Sequence, residues 1–183
     1  MPAHKHIFEK FINKYFVETG TFKGEGIDLA LSCNFQFIDS IEFFEEFYVK
    51  AIKKFANIKN INLHLGKSEE ILWDVIKNKN EKITFWLDAH YMGTADSYQE
   101  TFLITGSPLA DIKTPILHEL EIISKHHIKD HTIMIDDMRC CNTDLFDFIS
   151  KKQIEDCILK INPHYKIHYE NSWEPNDILI AKV

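Results

Sequence analysis

The chain predicts an α/β fold: a doubly wound, mostly parallel sheet of seven strands that ends in a C-terminal antiparallel hairpin. Three observations predict it. Short apolar runs alternate with segments of helical period from Tyr15 to Lys160, the pattern of βαβ units and of a parallel sheet covered on both faces. Several of those runs close on a carboxylate: Glu18, Glu42, Asp88, and the pair Asp136-Asp137. The last two extended runs have no helix between them, so they must pair antiparallel. One strand is therefore expected to run antiparallel at the sheet edge.

The elements follow in order. Ile7, Phe8, Phe11, Ile12 and Tyr15 have helical spacing, which predicts an amphipathic helix over 5–15. Residues 15–19 form the first strand, and 25–33 a helix with Ile27, Ala30 and Leu31 inward. Residues 35–42 form the second strand. The helix over 43–56 has the stripe Phe44, Phe47, Tyr48, Ala51, Ile52 and Phe55. Ile61–Leu65 is the third strand. Ser68 is expected to cap the next helix, whose first turn holds Glu69 and Glu70. Residues 83–88 form the fourth strand, and 89–113 a long irregular connection of the kind that carries function. Thr114-Pro115 starts a helix with proline at its first position, running to about residue 126. Residues 131–137 form the fifth strand. Residues 143–149 and 150–160 read as helical, and Ser150 with Gln153 forms a capping box. Residues 164–170 and 177–183 are the closing pair.

A chain of 183 residues with 45% hydrophobic content is expected to form a single domain, residues 1–183, with a substantial core. The net charge of −7 argues against a nucleic-acid partner, because a phosphate-tracking surface needs a basic excess. No apolar run approaches the roughly 20 residues of a membrane helix. The N-terminus lacks the apolar core of a signal peptide. Cys33, Cys140, Cys141 and Cys157 include no C-x-x-C pair, so a reduced, cytoplasmic protein is expected.

The chemistry is expected around Glu18-Thr19-Gly20-Thr21-Phe22-Lys23-Gly24. A strand ends, a glycine turn follows, and the start of a helix offers free N–H groups to a ligand. Glu42 lies at the end of the second strand, about 20 residues on, and can accept hydrogen bonds from both hydroxyls of a ribose. Glu18, beside the turn, can hold an ammonium group. A ribose plus an ammonium points to S-adenosylmethionine. A nicotinamide-dependent oxidoreductase is the rival enzyme class, and an inactive domain that only binds a partner is the non-enzymatic one. Asp88, Asp136 and Asp137 are expected at adjacent strand ends. Three converging carboxylates persist most easily around a hard divalent cation, for which Mg²⁺ suits oxygen donors. His90 can take the proton from a substrate hydroxyl. Tyr91 and Asp96 are weaker candidates for the acceptor pocket. His118, His126, His127 and His131 have no zinc spacing, and His126 and His127 are expected at a helix C-terminus, which favours positive charge.

On these residues the chain resembles the class I S-adenosylmethionine-dependent methyltransferases from about residue 10 onward. Residues 18–24 are similar to the E-x-G-x-[aromatic]-x-G form of the family's first motif, as in macrocin-type sugar O-methyltransferases. The resemblance implies that Glu18, Thr19, Gly20, Thr21, Phe22, Gly24, Glu42, Ser68 and Asp88 contact the cofactor. It also implies a metal at Asp88, Asp136 and Asp137, catalysis by His90 and Asp88, and a small-molecule or carbohydrate acceptor. Lys67 departs from the pattern, standing where many relatives carry an acid near the adenine. With little N-terminal extension to act as a lid, the site is expected to be open, closed by a second subunit of a homodimer, or part of a larger polypeptide.

Overall fold

The structure, a computed structural model, describes residues 3–90 and 112–183. Its strands are β1 (Tyr15–Thr19), β2 (Phe37–Glu42), β3 (Ile61–Leu65), β4 (Ile83–Leu87), β5 (Thr132–Ile135), β6 (Lys166–Glu170) and β7 (Ile178–Lys182). They form one sheet in the order β3-β2-β1-β4-β5-β7-β6. The pairs β1–β2, β1–β4, β2–β3 and β4–β5 are parallel, and β7 runs antiparallel to both β5 and β6. The antiparallel strand is thus not at the edge, as the sequence led us to expect. The chain leaves β5, passes through a helix to edge strand β6, and turns back into the slot between them.

The described helices are α1 (Lys5–Phe8), α2 (Glu25–Ser32), α3 (Glu45–Phe55), α4 (Ser68–Ile76), α5 (Ile116–Lys125) and α6 (Lys151–Ile161). Strand alternation divides the core into two layers. Phe16, Ile38, Trp86, Met134 and Ile180 pack with Phe8, Ile27 and Phe55 on one face. Val17, Ile41, Phe85, Ile133 and Leu179 pack with Leu72, Leu120 and Ile158 on the other. The same alternation sends Glu18 toward α2 and Thr19 toward α4 and α5.

Several sequence expectations are corrected. The helix over 5–15 is one turn of α-helix followed by a 3₁₀ turn at Glu9–Phe11, and Ile12 is exposed. The inner stripe of α3 is narrower, with Ala51 and Phe55 buried and Ile52 at the surface. Pro115 stands at the N-cap position of α5 rather than inside it. Residues 143–149 are not an α-helix. A 3₁₀ turn at Asp144–Phe146 runs into Asp147 (φ 48°) and Phe148 (φ 58°), both left-handed. The capping box at Ser150 and Gln153 forms as expected.

Candidate active site

Every parallel strand ends on one rim, and the rim is built around the turn after β1. Gly20 adopts φ +84°, and a Cβ there would stand 2.7 Å from the Asp88 carbonyl oxygen. Only glycine allows β1 and β4 to approach so closely at their ends. The Gly20 and Thr21 N–H groups both donate to the Ile41 carbonyl, at 2.9 and 3.3 Å, and the Gly24 N–H donates to the Thr21 carbonyl at 2.7 Å. Gly24 sits at φ +75° against the Phe55 ring, and α2 begins at Glu25.

Glu18 is 1% exposed. Ser40 donates its hydroxyl to Glu18 Oε2 at 2.5 Å, and the Ser40 and Thr21 hydroxyls meet at 2.6 Å. Burial drives the Glu18 carboxyl up to about 8, against the pull of Ser40, and the negative charge of Glu42 adds to the rise.

Glu42 is also buried, at 5% exposure, and its carboxylate binds the turn itself. The Phe22 N–H donates to Oε2 at 2.7 Å and the Phe44 N–H to Oε1 at 2.8 Å. Burial raises its pKa, opposed by those backbone donors. Each oxygen keeps a second lone pair, so holding the turn and meeting a ribose are compatible. Phe22 is left-handed at φ 47°, with its ring edge-on to Phe47 at 4.8 Å. Phe43, directly after Glu42, is 42% exposed at the rim.

Ser68 departs from expectation. Lys67 holds the N-cap position of α4 without a side-chain cap, and Ser68 is the first helical residue with its hydroxyl buried.

The acids at β4 and β5 come together, though not as a single set. Ligand atoms of Asp88, His90 and Asp137 lie within 4.8 Å of one another, as do those of Asp136, Asp137 and Asp177. Asp137 thus belongs to both groups, while Asp88 faces His90 and Asp136 faces Asp177. His90 Nε2 is hydrogen-bonded to Asp137 Oδ2 and stands 3.8 Å from Asp88 Oδ1. The His90 ring packs 5.4 Å from Phe146. Burial and the charges of Asp136 and Asp137 raise the Asp88 carboxyl well above its ordinary range. Burial and Asp137 lift Asp136 to about 7. Asp137 is the ionised member: burial pushes it up, but the His90 hydrogen bond and Arg139 outweigh that and hold it low.

Asp177 carried no signal in the sequence reading. It precedes β7, and because that strand is antiparallel its beginning lies on the rim where the parallel strands end. Fully buried, Asp177 accepts from the Arg139 N–H at 2.9 Å, from Ser172 Oγ at 3.1 Å and from the Arg139 guanidinium. Arg139 also reaches Asp137 at 2.5 Å. An acid before an apolar strand was visible in the sequence, but it gains meaning only once the strand's direction is known.

Tyr91 and Asp96 lie outside the described residues. His126 stands at the C-cap of α5, as expected, but not as a positive charge. It is fully buried, and burial and His127 lower its pKa. The four cysteines are free. No helix among the described residues is long and apolar enough to cross a membrane.

No family model matches the chain, and no curated protein matches it. Solved structures do. A candidate rRNA methylase from Clostridium thermocellum superposes with a TM-score of 0.61 at 10% identity, over 98% of this chain and 95% of that one. A candidate methyltransferase from Streptococcus mutans, in complex with S-adenosylhomocysteine, gives 0.58 at 15% identity over 98% and 95%. The fold is that of the S-adenosylmethionine-dependent methyltransferases. The O-methyltransferase TomG from Streptomyces achromogenes, in complex with S-adenosylmethionine, gives 0.55 at 11% identity over 98% and 77%. The methyltransferase fold accounts for the strand order, including the reversed β7, and for the gathering of the candidate residues on one rim.

Proposed function

We propose that the chain is an S-adenosylmethionine-dependent O-methyltransferase that acts on a hydroxyl of a small or carbohydrate acceptor. The observation that carries this reading is the rim itself. Buried Glu18 flanks a glycine turn, Glu42 stands on the neighbouring strand, and Asp88, His90 and Asp137 cluster beyond it. Glu18 would take the ammonium of the methionine part, Glu42 the ribose, and Phe43 offers an aromatic face beside it. A dinucleotide has no ammonium group to answer a buried Glu18.

On the acceptor side, Asp137 orients His90 and stabilises its protonated form, which suits His90 to receive the hydroxyl proton as the methyl group leaves sulfur. Most of the rate would come from holding oxygen, methyl carbon and sulfur in line.

The donor set fits a divalent cation. Burial and their neighbours bias Asp88 and Asp136 toward the neutral form, and the Arg139 guanidinium pairs directly with Asp137 and Asp177 rather than with either, so a cation arriving here would ionise both. Asp137 would hold the ion with Asp88 on one side or Asp136 on the other, and these carboxylate oxygens suit Mg²⁺ and Mn²⁺. When bound, such an ion lowers the pKa of a coordinated hydroxyl and fixes its direction.

Calorimetry tests the cofactor: S-adenosylhomocysteine should bind and NAD should not. Methyl transfer from labelled S-adenosylmethionine to a panel of sugars and phenols tests the reaction. Turnover should fall on chelation, return with Mg²⁺ or Mn²⁺, and drop by about 10²-fold or more in Asp88→Asn and His90→Ala. Turnover indifferent to chelator would remove the metal from the reading.

A further inference from the structure

We infer that Glu119 is a positioning residue set between the end of β1 and the start of α4, where it governs the grip of the site on its cofactor; this rests on the cofactor reading above. Glu119 is on α5, only 1% exposed, in an otherwise apolar layer. Its carboxyl lies against the hydroxyls of Thr19 and Ser68. Those residues belong to two separate walls of the rim. Thr19 directly precedes Gly20, whose conformation lets the turn form. Ser68 opens α4 directly after the turn that follows β3.

Thr19 Oγ1, Ser68 Oγ and Glu119 Oε1 are all buried, and none of the three closes a hydrogen bond. Three orphaned oxygens around one point are costly in a core where a leucine would fill the space. Their placement under the glycine turn gives the cost a use. A neutral Glu119 has a proton to donate and an ionised one can only accept, so its two states pull differently on Thr19 and Ser68. Burial raises the Glu119 carboxyl to about 7, with the two hydroxyls pulling the other way. The one charge acting on it comes from Glu69 in the first turn of α4. β1 presents Tyr15, Val17 and Thr19 on this face, of which Thr19 alone acts on the carboxyl; Glu18 points to the other face, and no ionised group of α6 acts on it.

The test is the affinity of the full chain for S-adenosylhomocysteine, measured by calorimetry from pH 5.5 to 8.5. Wild type should show a component of pH dependence with a midpoint near 7. Glu119→Gln, which keeps the shape but cannot titrate, should lose that component and retain those from other groups. Glu119→Leu should weaken binding about tenfold, and its loss should not add to that of Ser68→Ala. Melting curves confirm that each variant is folded, and the Gln variant decides if the Leu variant is not. An unchanged midpoint in Glu119→Gln, or strictly additive losses, overturns the inference while leaving the cofactor reading intact. A wild-type chain that ignores S-adenosylhomocysteine at every pH overturns the cofactor reading and this inference with it.

Discussion

Gly26 decides whether Glu18 can sit where it does. A Cβ on Gly26 would stand 1.8 Å from Glu18 Oε1, far inside contact distance. Gly26→Ala must therefore push the Glu18 carboxyl off its Ser40 partner or push α2 off the sheet. We expect a loss of about 1–3 kcal/mol in stability, as for other overpacked cores, and loss of measurable S-adenosylhomocysteine binding. A melting curve and a titration check the two effects separately. Glu18 makes a second prediction. Held near 8, it is mostly protonated at pH 7, and an arriving ammonium must displace that proton. Binding at pH 7 should release close to one proton, read from calorimetry in buffers of different ionisation enthalpy. Glu18→Gln should abolish that release, and an equal release in the variant would place the ammonium elsewhere.

At the level of elements, the sequence was most legible where one local rule acts alone. β1 and β3 fall on their expected residues, because short apolar runs between turn signals leave little choice. The capping box at Ser150 was legible because both of its partners lie within four residues. Segments decided by distant partners were not. Residues 143–149 carry helix-compatible residues, but the Asp147 carboxylate accepts the Lys113 and Thr114 N–H groups, at 2.8 and 3.2 Å, and Asp144 pairs with Lys113. That segment is bent to hold the entry to α5, and no periodicity encodes such a contact. The site divides in the same way. The glycine turn and the acids on the parallel strands could be read locally, whereas Asp177 and Glu119 depend on topology. Asp177→Ala makes the difference measurable. It removes the acceptor for the Arg139 N–H, the Arg139 guanidinium and Ser172, and frees Arg139 to pull on Asp137. We expect a cost of about 2–4 kcal/mol, and weaker divalent-cation binding in whatever chain remains folded. Denaturant melts and metal titration read these outcomes, and a variant as stable as wild type would make Asp177 incidental.

Across the whole molecule, the buried titratable groups set how stability depends on pH, and two sets act in opposite directions. His131 Nδ1 accepts the Ile83 N–H at 3.1 Å, so its Nε2–H donates to His126 Nδ1 at 3.0 Å. His126 Nε2–H in turn donates to the Ile76 carbonyl at 3.1 Å. Both rings are thus neutral, joining the start of β4 to the ends of α4 and α5. Burial and His126 hold His131 down to about 3, so between pH 6.5 and 3 the unfolded chain binds a proton that the fold refuses. Acidification through that window destabilises the fold. The rim acids do the reverse. Burial lifts Glu18 to about 8 and Asp136 and Glu119 to about 7, so from their ordinary range near 4 upward the fold retains protons that the unfolded chain releases. Raising the pH through that window destabilises the fold, each group acting with a slope on the order of 1 kcal/mol per unit. Above pH 6.5 the histidines no longer contribute and the acids act alone. The ligand-free chain should therefore melt about 5 °C or more lower at pH 8.5 than at pH 6. A divalent cation with S-adenosylhomocysteine supplies the positive charge these carboxylates lack, so the pair should raise the melting temperature more at pH 8.5 than at pH 6. Scanning melts at both pH values, with and without the pair, check this. An equal gain at both would mean that neither ligand meets the rim acids.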